Sequence, residues 1–287
     1  MVQKRGEPAS VTKASSEMQA YNGEKLMRSF TRAGAPHALA SRVRERVERE
    51  LTPRMTTETL FRKASRHLRR EDPVIAAKYS LKRAIMELGP AGFLFEHYVG
   101  AILEEYGYRT KLNQIMQGVC VSHEIDVVAE MGHDHFLIEA KYHNERGIKS
   151  DIKTIMYTYA RLLDIGEARR KIEKNAFAHR AWLFTNTKLT SKAVAFGKCR
   201  GVRMTGWRYP SGEGLEALIE ERGLYPVTIL PSVDQFARER FAEARLLFVR
   251  DLESFTAARL VNEFSMNGAR SRAIVAEVAA FLGSLGK

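Results

Sequence analysis

The sequence predicts a multidomain α/β protein with a mostly helical N-terminal unit, a central αβββαβαβ domain and a helical C-terminal segment. Three observations carry this. A turn signal at Asn22-Gly23 is followed by helical spacing with few strands. After the break at Gly89-Pro90, apolar residues alternate with polar ones over about 124–131 and 135–142, the period of half-buried strands. Beyond residue 210 the spacing is again helical. The chain has 287 residues, enough for about two domains at roughly 150 residues each, or three small ones. The units are expected over 9–90, 91–210 and 211–287.

In the first unit a strand is expected at Val11–Ala14 and another near Gln19–Tyr21. Leu26, Phe30 and Ala33 share one helix face, and Gly34 and Pro36 stop that helix. Leu39, Val43, Val47 and Leu51 define a second helix, ended by Pro53. Thr56 or Thr57 caps a third, with Leu60, Ala64 and Leu68 inward. Asp72-Pro73 opens a fourth that continues to Ile85.

The second unit begins with a helix over about Phe93–Tyr106. Strands follow at about Arg109–Met116, Glu124–Met131 and His135–Tyr142, the last two joined across Gly132-His133-Asp134. A long helix is expected at Ser150–Ile165, a strand at Ala181–Thr185, a helix at Ser191–Arg200 and a strand at Val202–Trp207. Residues 211–287 read as helical throughout, with pieces near 214–222, 232–239, 242–249, 254–262 and 271–282. No internal repeat is visible.

Composition narrows the function. No apolar run approaches the ~20 residues that span a bilayer, and no signal-peptide pattern opens the chain, so a cytoplasmic protein is expected. Two cysteines, Cys120 and Cys199, make neither a disulfide framework nor a four-thiolate zinc site; both are expected as reduced core thiols. Lys and Arg number 46 against 34 Asp and Glu, a net charge of +12. The excess lies in residues 1–210, while 211–287 is slightly acidic. A basic surface of this kind meets nucleic acid, nucleotide or anionic membrane, or is simply solvated.

The chemistry sits in the middle unit. On the strand after residue 134, Glu139 and Lys141 project from one face, about 7 Å apart along the backbone. Asp126, on the preceding strand, can reach the same end of the sheet by hairpin pairing. Two carboxylates offer hard oxygen ligands to Mg²⁺. A metal there activates water and polarises a phosphate, and a lysine orients the water or offsets transition-state charge. A salt bridge from Lys141 to Glu139 or Asp126 explains the same residues. Glu96 falls on the apolar stripe of Val99 and Leu103, so it turns outward or meets something cationic. His133-Asp134-His135 reads as a solvated turn, because adjacent residues there cannot all face one ion. His123 reads as a loop or core histidine.

Taken in order, Gly92-Phe93-Leu94-Phe95-Glu96, Tyr106-Gly107-Tyr108, Glu124-Ile125-Asp126-Val127-Val128 and Ile138-Glu139-Ala140-Lys141 resemble the PD-(D/E)xK nuclease superfamily. The Mrr-like restriction endonuclease and resolvase branches are most similar. Leu183-Phe184-Thr185-Asn186-Thr187, Ala193 and Gly206-Trp207 resemble the end of such domains. The resemblance implies a restriction-endonuclease-like fold over 91–210 and hydrolysis of DNA phosphodiesters with Mg²⁺ or Mn²⁺. Asp126 and Glu139 would ligate the metal with the Ala140 carbonyl, Glu96 would assist metal or water, and Lys141 would be the catalytic lysine. Lys149, Lys153 and Tyr157 on the long helix could face the substrate.

No GxxxxGK[ST] loop exists, which disfavours a P-loop ATPase. Lys13 and Lys25 could converge on phosphates beside a helix N-terminus, or be ordinary surface lysines. Val11-Thr12-Lys13, Tyr21-Asn22-Gly23-Glu24-Lys25-Leu26, Ser29-Phe30 and Ala76-Ala77-Lys78-Tyr79 resemble the ATP-cone, the nucleotide-sensing domain of ribonucleotide reductases. That resemblance implies ATP or dATP as a regulatory ligand. Lys13 and Lys25 would touch phosphate, and Asn22 and Thr56 would lie nearby. The chain departs from the pattern at Lys13-Ala14-Ser15-Ser16, where a basic residue and a turn glycine are usual, and at Gln19, where an acid is common. Cone domains often mediate assembly, so a homo-oligomer is consistent with the resemblance. The expected partners are therefore DNA and adenine nucleotide, with no membrane. A non-catalytic nucleotide-gated DNA-binding regulator, or an enzyme acting on RNA, fits the same residues.

Overall fold

The computed structural model describes residues 10–12, 18–89, 92–172 and 178–285. It is a mixed α/β structure with a helical C-terminal part. Lys13 and the expected strand end at Ala14 lie outside the described residues.

Strand β1 (Ser10–Thr12) pairs antiparallel with β2 (Met18–Ala20). Asn22 then caps α1 (Gly23–Arg32), its carboxamide oxygen accepting the Lys25 N–H at 2.9 Å. Helix α2 (His37–Arg49) follows. A two-residue strand β3 (Met55–Thr56) was not anticipated; it joins β1 in parallel, Thr12 opposite Thr56. Its length gives no periodicity to read. Thr56 caps α3 (Thr57–Glu71). The single helix expected next is two, α4 (Pro73–Tyr79) and α5 (Leu81–Met86). They part at Ser80, whose hydroxyl donates to the Ala76 carbonyl at 2.9 Å. Leu26, Phe30, Val43, Val47, Ala64 and Leu68 form the core of this unit.

Helix α6 (Phe93–Glu105) leads to β4 (Arg109–Gln117), β5 (Ser122–Met131) and β6 (Asp134–Lys141). Met131 pairs with Asp134, so the hairpin loop is two residues, with Gly132 at φ 60. Then come β7 (Lys149–Ser150), α7 (Ile152–Ile172), β8 (Arg180–Thr185), β9 (Lys188–Leu189), α8 (Ser191–Arg200) and β10 (Arg203–Thr205). The sheet order is β10-β8-β6-β5-β4. Strands β4, β5 and β6 are antiparallel; β6, β8 and β10 are parallel. Strands β7 and β9 form a separate small pair. Helix α6 covers one face through Phe95, Tyr98 and Val99, while α7 covers the other through Ile155 and Ile165.

The C-terminal part contains α9 (Leu215–Arg222), α10 (Gln235–Glu243), α11 (Ala257–Phe264) and α12 (Gly268–Leu285). No α-helix covers 245–249. Instead, 3-10 turns lie at Val227–Ile229 and Val249–Leu252. Two units repeat at a spacing of 22 residues. Gly223 and Arg245 both take positive φ, at 65 and 58. Asp234 and Thr256 both cap the next helix. The units meet where the Val227 N–H donates to the Leu247 carbonyl at 2.9 Å and the Val249 N–H to the Tyr225 carbonyl at 2.8 Å. The repeat is also partly in the residues: Leu224, Val227, Leu230 and Ser232 recur as Leu246, Val249, Leu252 and Ser254. This part shares its core with α6: the Tyr98 hydroxyl donates to the Leu224 carbonyl at 2.5 Å, and that of Tyr106 to Leu218 at 3.0 Å. Both cysteines are free and exposed rather than in the core.

Candidate functional site

The site forms where the ladder between β5 and β6 stops. Its last pair on that side is Val127 with Ile138. One step further Asp126 stands opposite Glu139, and there the Asp126 Oδ2 accepts the Ala140 N–H at 2.7 Å. A side-chain carboxylate thus takes up a backbone donor at the point where strand pairing ends.

Strand β4 is irregular at the same level. Its ladder with β5 pairs Leu112 with Val127 and Gln114 with Ile125, passing over Asn113 and Asp126. Asn113 has φ 51, left-handed backbone in mid-strand. The sheet face reverses across this step. Leu112 and Val127 pack toward α6, whereas Ile125 and Met116 pack toward α7. In an unbroken strand, residues two or four apart would share a face.

Asn113 uses its conformation. Its Nδ2 donates to Glu96 Oε2 at 3.1 Å and approaches Glu124 Oε1 at 3.5 Å. Glu96 was expected to meet a cation or turn outward; it meets this amide and two other acids. Burial, then the Asp126 and Glu124 charges, push the Glu96 carboxyl above its ordinary range, against the Asn113 hydrogen bond. Asp126 is raised chiefly by burial and further by Glu124, while Arg161 and Lys141 pull it down. Glu139 is raised by burial and by Asp126, with Arg161 and Lys141 opposing. Glu96, Asp126, Glu139 and Lys141 therefore form one electrostatic cluster.

Glu139 has an ion-pair partner that the sequence reading missed. Arg161, one of the few buried charged residues, reaches from α7 to Glu139 Oε2. Among the described residues Lys141 makes no ion pair with Asp126 or Glu139, so the salt-bridge reading of the lysine is not what forms. Lys141 is exposed at the end of β6, opposite Thr185. Just past it, Asn186 clamps the chain: its Oδ1 accepts the His143 N–H at 3.0 Å and its Nδ2 donates to the His143 carbonyl at 2.8 Å. Burial and the Lys141 charge hold the His143 imidazole below its ordinary range. Tyr157 and Arg161 stack on α7, guanidinium to ring centre 5.1 Å, and Lys153 lies one turn before on the same stripe.

Among the described residues no group of three or more His, Cys, Asp or Glu side chains is arranged to hold a metal ion. His123 is occupied by Asp164 at 2.8 Å. Asp164 also accepts the Cys120 N–H at 2.9 Å, and these contacts hold its carboxyl well below the ordinary range. Of the expected turn His133-Asp134-His135 only His133 lies in the loop; Asp134 and His135 open β6, Asp134 pairing with Arg180 and His135 lying 3.6 Å from Glu130.

In the N-terminal unit, Asn22 and Lys25 share the first turn of α1. Thr56 spends its oxygen on the Thr59 N–H at 3.1 Å. Asn22 and Lys25 follow Ala20, which pairs with Ser10, while Thr56 pairs with Thr12 at the other end of β1. The register sets the two groups about 7 Å apart along the strand.

No family model matches the chain. An uncharacterized protein of Archaeoglobus fulgidus is 41% identical over 182 residues, which cover 63% of this chain and 98% of the relative. The chain belongs to the family of that archaeal protein. The crystal structure of a protein of unknown function, AF1548, is 40% identical with a TM-score of 0.57, covering 68% of this chain and all of that one. Can2 from Sulfobacillus thermosulfidooxidans, in complex with cyclic tetra-adenylate, is 15% identical with a TM-score of 0.32, over 69% of this chain and 54% of that one. That likeness is too slight to assign even the fold. No helix among the described residues is long and apolar enough to cross a membrane.

Proposed function

We propose that the chain is a metal-dependent endonuclease acting on DNA, with an N-terminal unit of the ATP-cone kind that senses ATP or dATP. The observation that carries the reading is the break in the β4–β5 ladder and the end of the β5–β6 ladder at one level, where Glu96, Asp126 and Glu139 gather beside Lys141. Three mutually repelling, partly buried acids cost stability unless something cationic uses them. Arg161 neutralises one only.

The donor set fits Mg²⁺ or Mn²⁺. Mg²⁺ is commonly held by one or two carboxylates, with water and substrate phosphate completing its shell. Asp126 and Glu139 would hold it with the Ala140 carbonyl, and it would supply Lewis acidity toward a phosphate oxygen. Glu96, raised above its ordinary range, suits a group that exchanges a proton with water. Lys141 is exposed and is available to a scissile phosphate or attacking water. Lys153 and Tyr157 extend the same stripe of α7 outward as a track for the backbone. In the N-terminal unit, Lys25 and Asn22 at the α1 N-terminus, with Thr56 and Lys13, would receive the nucleotide.

The test is cleavage of supercoiled and branched DNA with Mg²⁺ or Mn²⁺, with and without ATP. Asp126→Ala and Lys141→Ala are expected to lose cleavage by at least roughly 10²-fold while still binding DNA. Normal cutting by both variants sinks the site assignment. No cutting by a folded, DNA-binding wild type leaves the nucleotide-gated regulator in its place.

A further inference from the structure

We infer a second anion site, independent of the nuclease reading, in a cleft of about 590 Å³ between α3, the α4–α5 elbow and residues 228–238. Its ligand is an organic polyphosphate of the nucleoside triphosphate class. One wall is a stripe of arginines on α3: Arg62, Arg66, Arg69 and Arg70. Like charges at this spacing destabilise a helix, so the stripe has a cost that surface charge alone does not require. Arg83 and Arg238 face it from the other walls.

The acids near the cleft do not neutralise the stripe. Glu87 is taken by Arg83 at 2.9 Å and by Arg238 at 3.6 Å. Asp234 caps α10 and pairs with Arg270 at 2.8 Å. Arg66 has Glu50 at 2.8 Å. Arg62, Arg69 and Arg70 have no acidic partner among the described residues.

Two buried polar atoms in the same lining are also unsatisfied. Ser65 is 8% exposed and sits between the arginines, and its hydroxyl finds no hydrogen-bond partner. The Arg238 Nε is likewise without one. Buried polar groups are normally paired, and such orphans mark a missing ligand or water. Arginines in this number recognise phosphate oxygens by paired, charge-assisted hydrogen bonds. The floor is apolar, formed by Phe61, Ile229, Leu230 and Pro231, and suits a planar base. The size is that of a small-molecule site, and walls from separate segments favour a compact ligand over a continuous strand. Phe61 and Arg83 also border a smaller cleft with Arg146, on the loop that follows Lys141. An occupant would thus adjoin the chain leading from the candidate catalytic lysine.

The experiment is calorimetric titration of the full chain with ATP, with inorganic tripolyphosphate and with a short DNA duplex. It uses the wild type, Lys25→Ala, Arg69→Ala and Arg70→Ala. ATP and tripolyphosphate are expected to bind Lys25→Ala. Each arginine variant, made in that background, is expected to weaken both by about tenfold, with a thermal midpoint unchanged or raised. Lys25→Ala separates this site from a nucleotide site at α1, so either can fail alone. The inference is overturned if Lys25→Ala binds neither anion, or if the arginine variants bind them as Lys25→Ala does. It is equally overturned if only duplex binding falls, which would make the stripe a nucleic-acid contact.

Discussion

Arg161→Ala tests the electrostatics of the site most directly. The Arg161 and Glu139 side chains are 10% and 15% exposed, so the ion pair is held away from solvent. Removing one partner of a buried pair costs roughly 3–5 kcal/mol, because the other charge stays buried alone. At about 2–4 °C per kcal/mol for a domain of this size, the midpoint should fall by roughly 6–20 °C. The loss should depend on pH in a defined sense. Glu139 is already raised by burial and by Asp126, and without Arg161 it rises further. A carboxyl raised in the folded state favours folding below its unfolded pKa, and that advantage is lost as pH climbs through the folded value. The penalty of Arg161→Ala is therefore full at neutral pH and shrinks on acidification. On the nuclease proposal, Mg²⁺ replaces the missing cation: at a hundred times its Kd it returns about 2.7 kcal/mol. Thermal unfolding across pH, with and without Mg²⁺, reads both effects. A penalty independent of pH refutes the electrostatic reasoning, and a midpoint that Mg²⁺ does not move refutes the metal site.

Two further outcomes follow from the same geometry. Asp126→Asn keeps an oxygen to accept the Ala140 N–H but removes a charge that repels Glu96 and Glu139; in metal-free buffer it should raise stability, by about 1 kcal/mol for a partly buried repulsion, while cleavage is lost. Asn113→Gly keeps the positive φ but drops the bond to Glu96, so kcat should fall with little change in unfolding midpoint, whereas Asn113→Ala adds left-handed strain of about 1–2 kcal/mol. Equal midpoints for the two Asn113 variants would remove strain from the account.

Much of the fold was legible because its signals are local. Helix stripes such as Leu39, Val43 and Val47, and caps such as Asn22 and Thr56, each involve one segment. Asp126 and Glu139 could be aligned because both lie on a hairpin of short loop. Arg161 could not be found this way: it lies 22 residues beyond Glu139 on another element, and its burial is a tertiary fact. The one available signal was a charge on the stripe of Ile165 and Ala168, which face the core of α7. Asn113 gave a weaker hint, as asparagine is among the few residues that tolerate left-handed backbone within an otherwise regular strand. The C-terminal repeat was legible only in four recurring residues, Leu224, Val227, Leu230 and Ser232 against Leu246, Val249, Leu252 and Ser254, while its punctuating positions differ, with glycine at the positive-φ site of one unit and arginine in the other. Glu96 was placed on the correct helix, but its Asn113 partner was not foreseen, since a helical wheel does not show what the next strand presents.

The reversal at Asn113 and Asp126 explains how charged side chains from opposite layers come together. Glu96 belongs to α6, on one face of the sheet, and Arg161 to α7, on the other. Had β4 and β5 kept their alternation, Ile125 would face α6 with Val127, and the polar groups between them would lie on one side only. Reversing the face at a single pair opens the sheet edge to both layers. Asp126 can then bond the Ala140 backbone while sensing Glu96 from one side and Arg161 from the other. Left-handed backbone in mid-strand costs free energy and persists only where the surroundings hold it. Here they do so through the Glu96 and Glu124 carboxylates on the Asn113 amide. The strain and the acid cluster are thus one device: the residue that breaks the strand also holds the acid that the break admits.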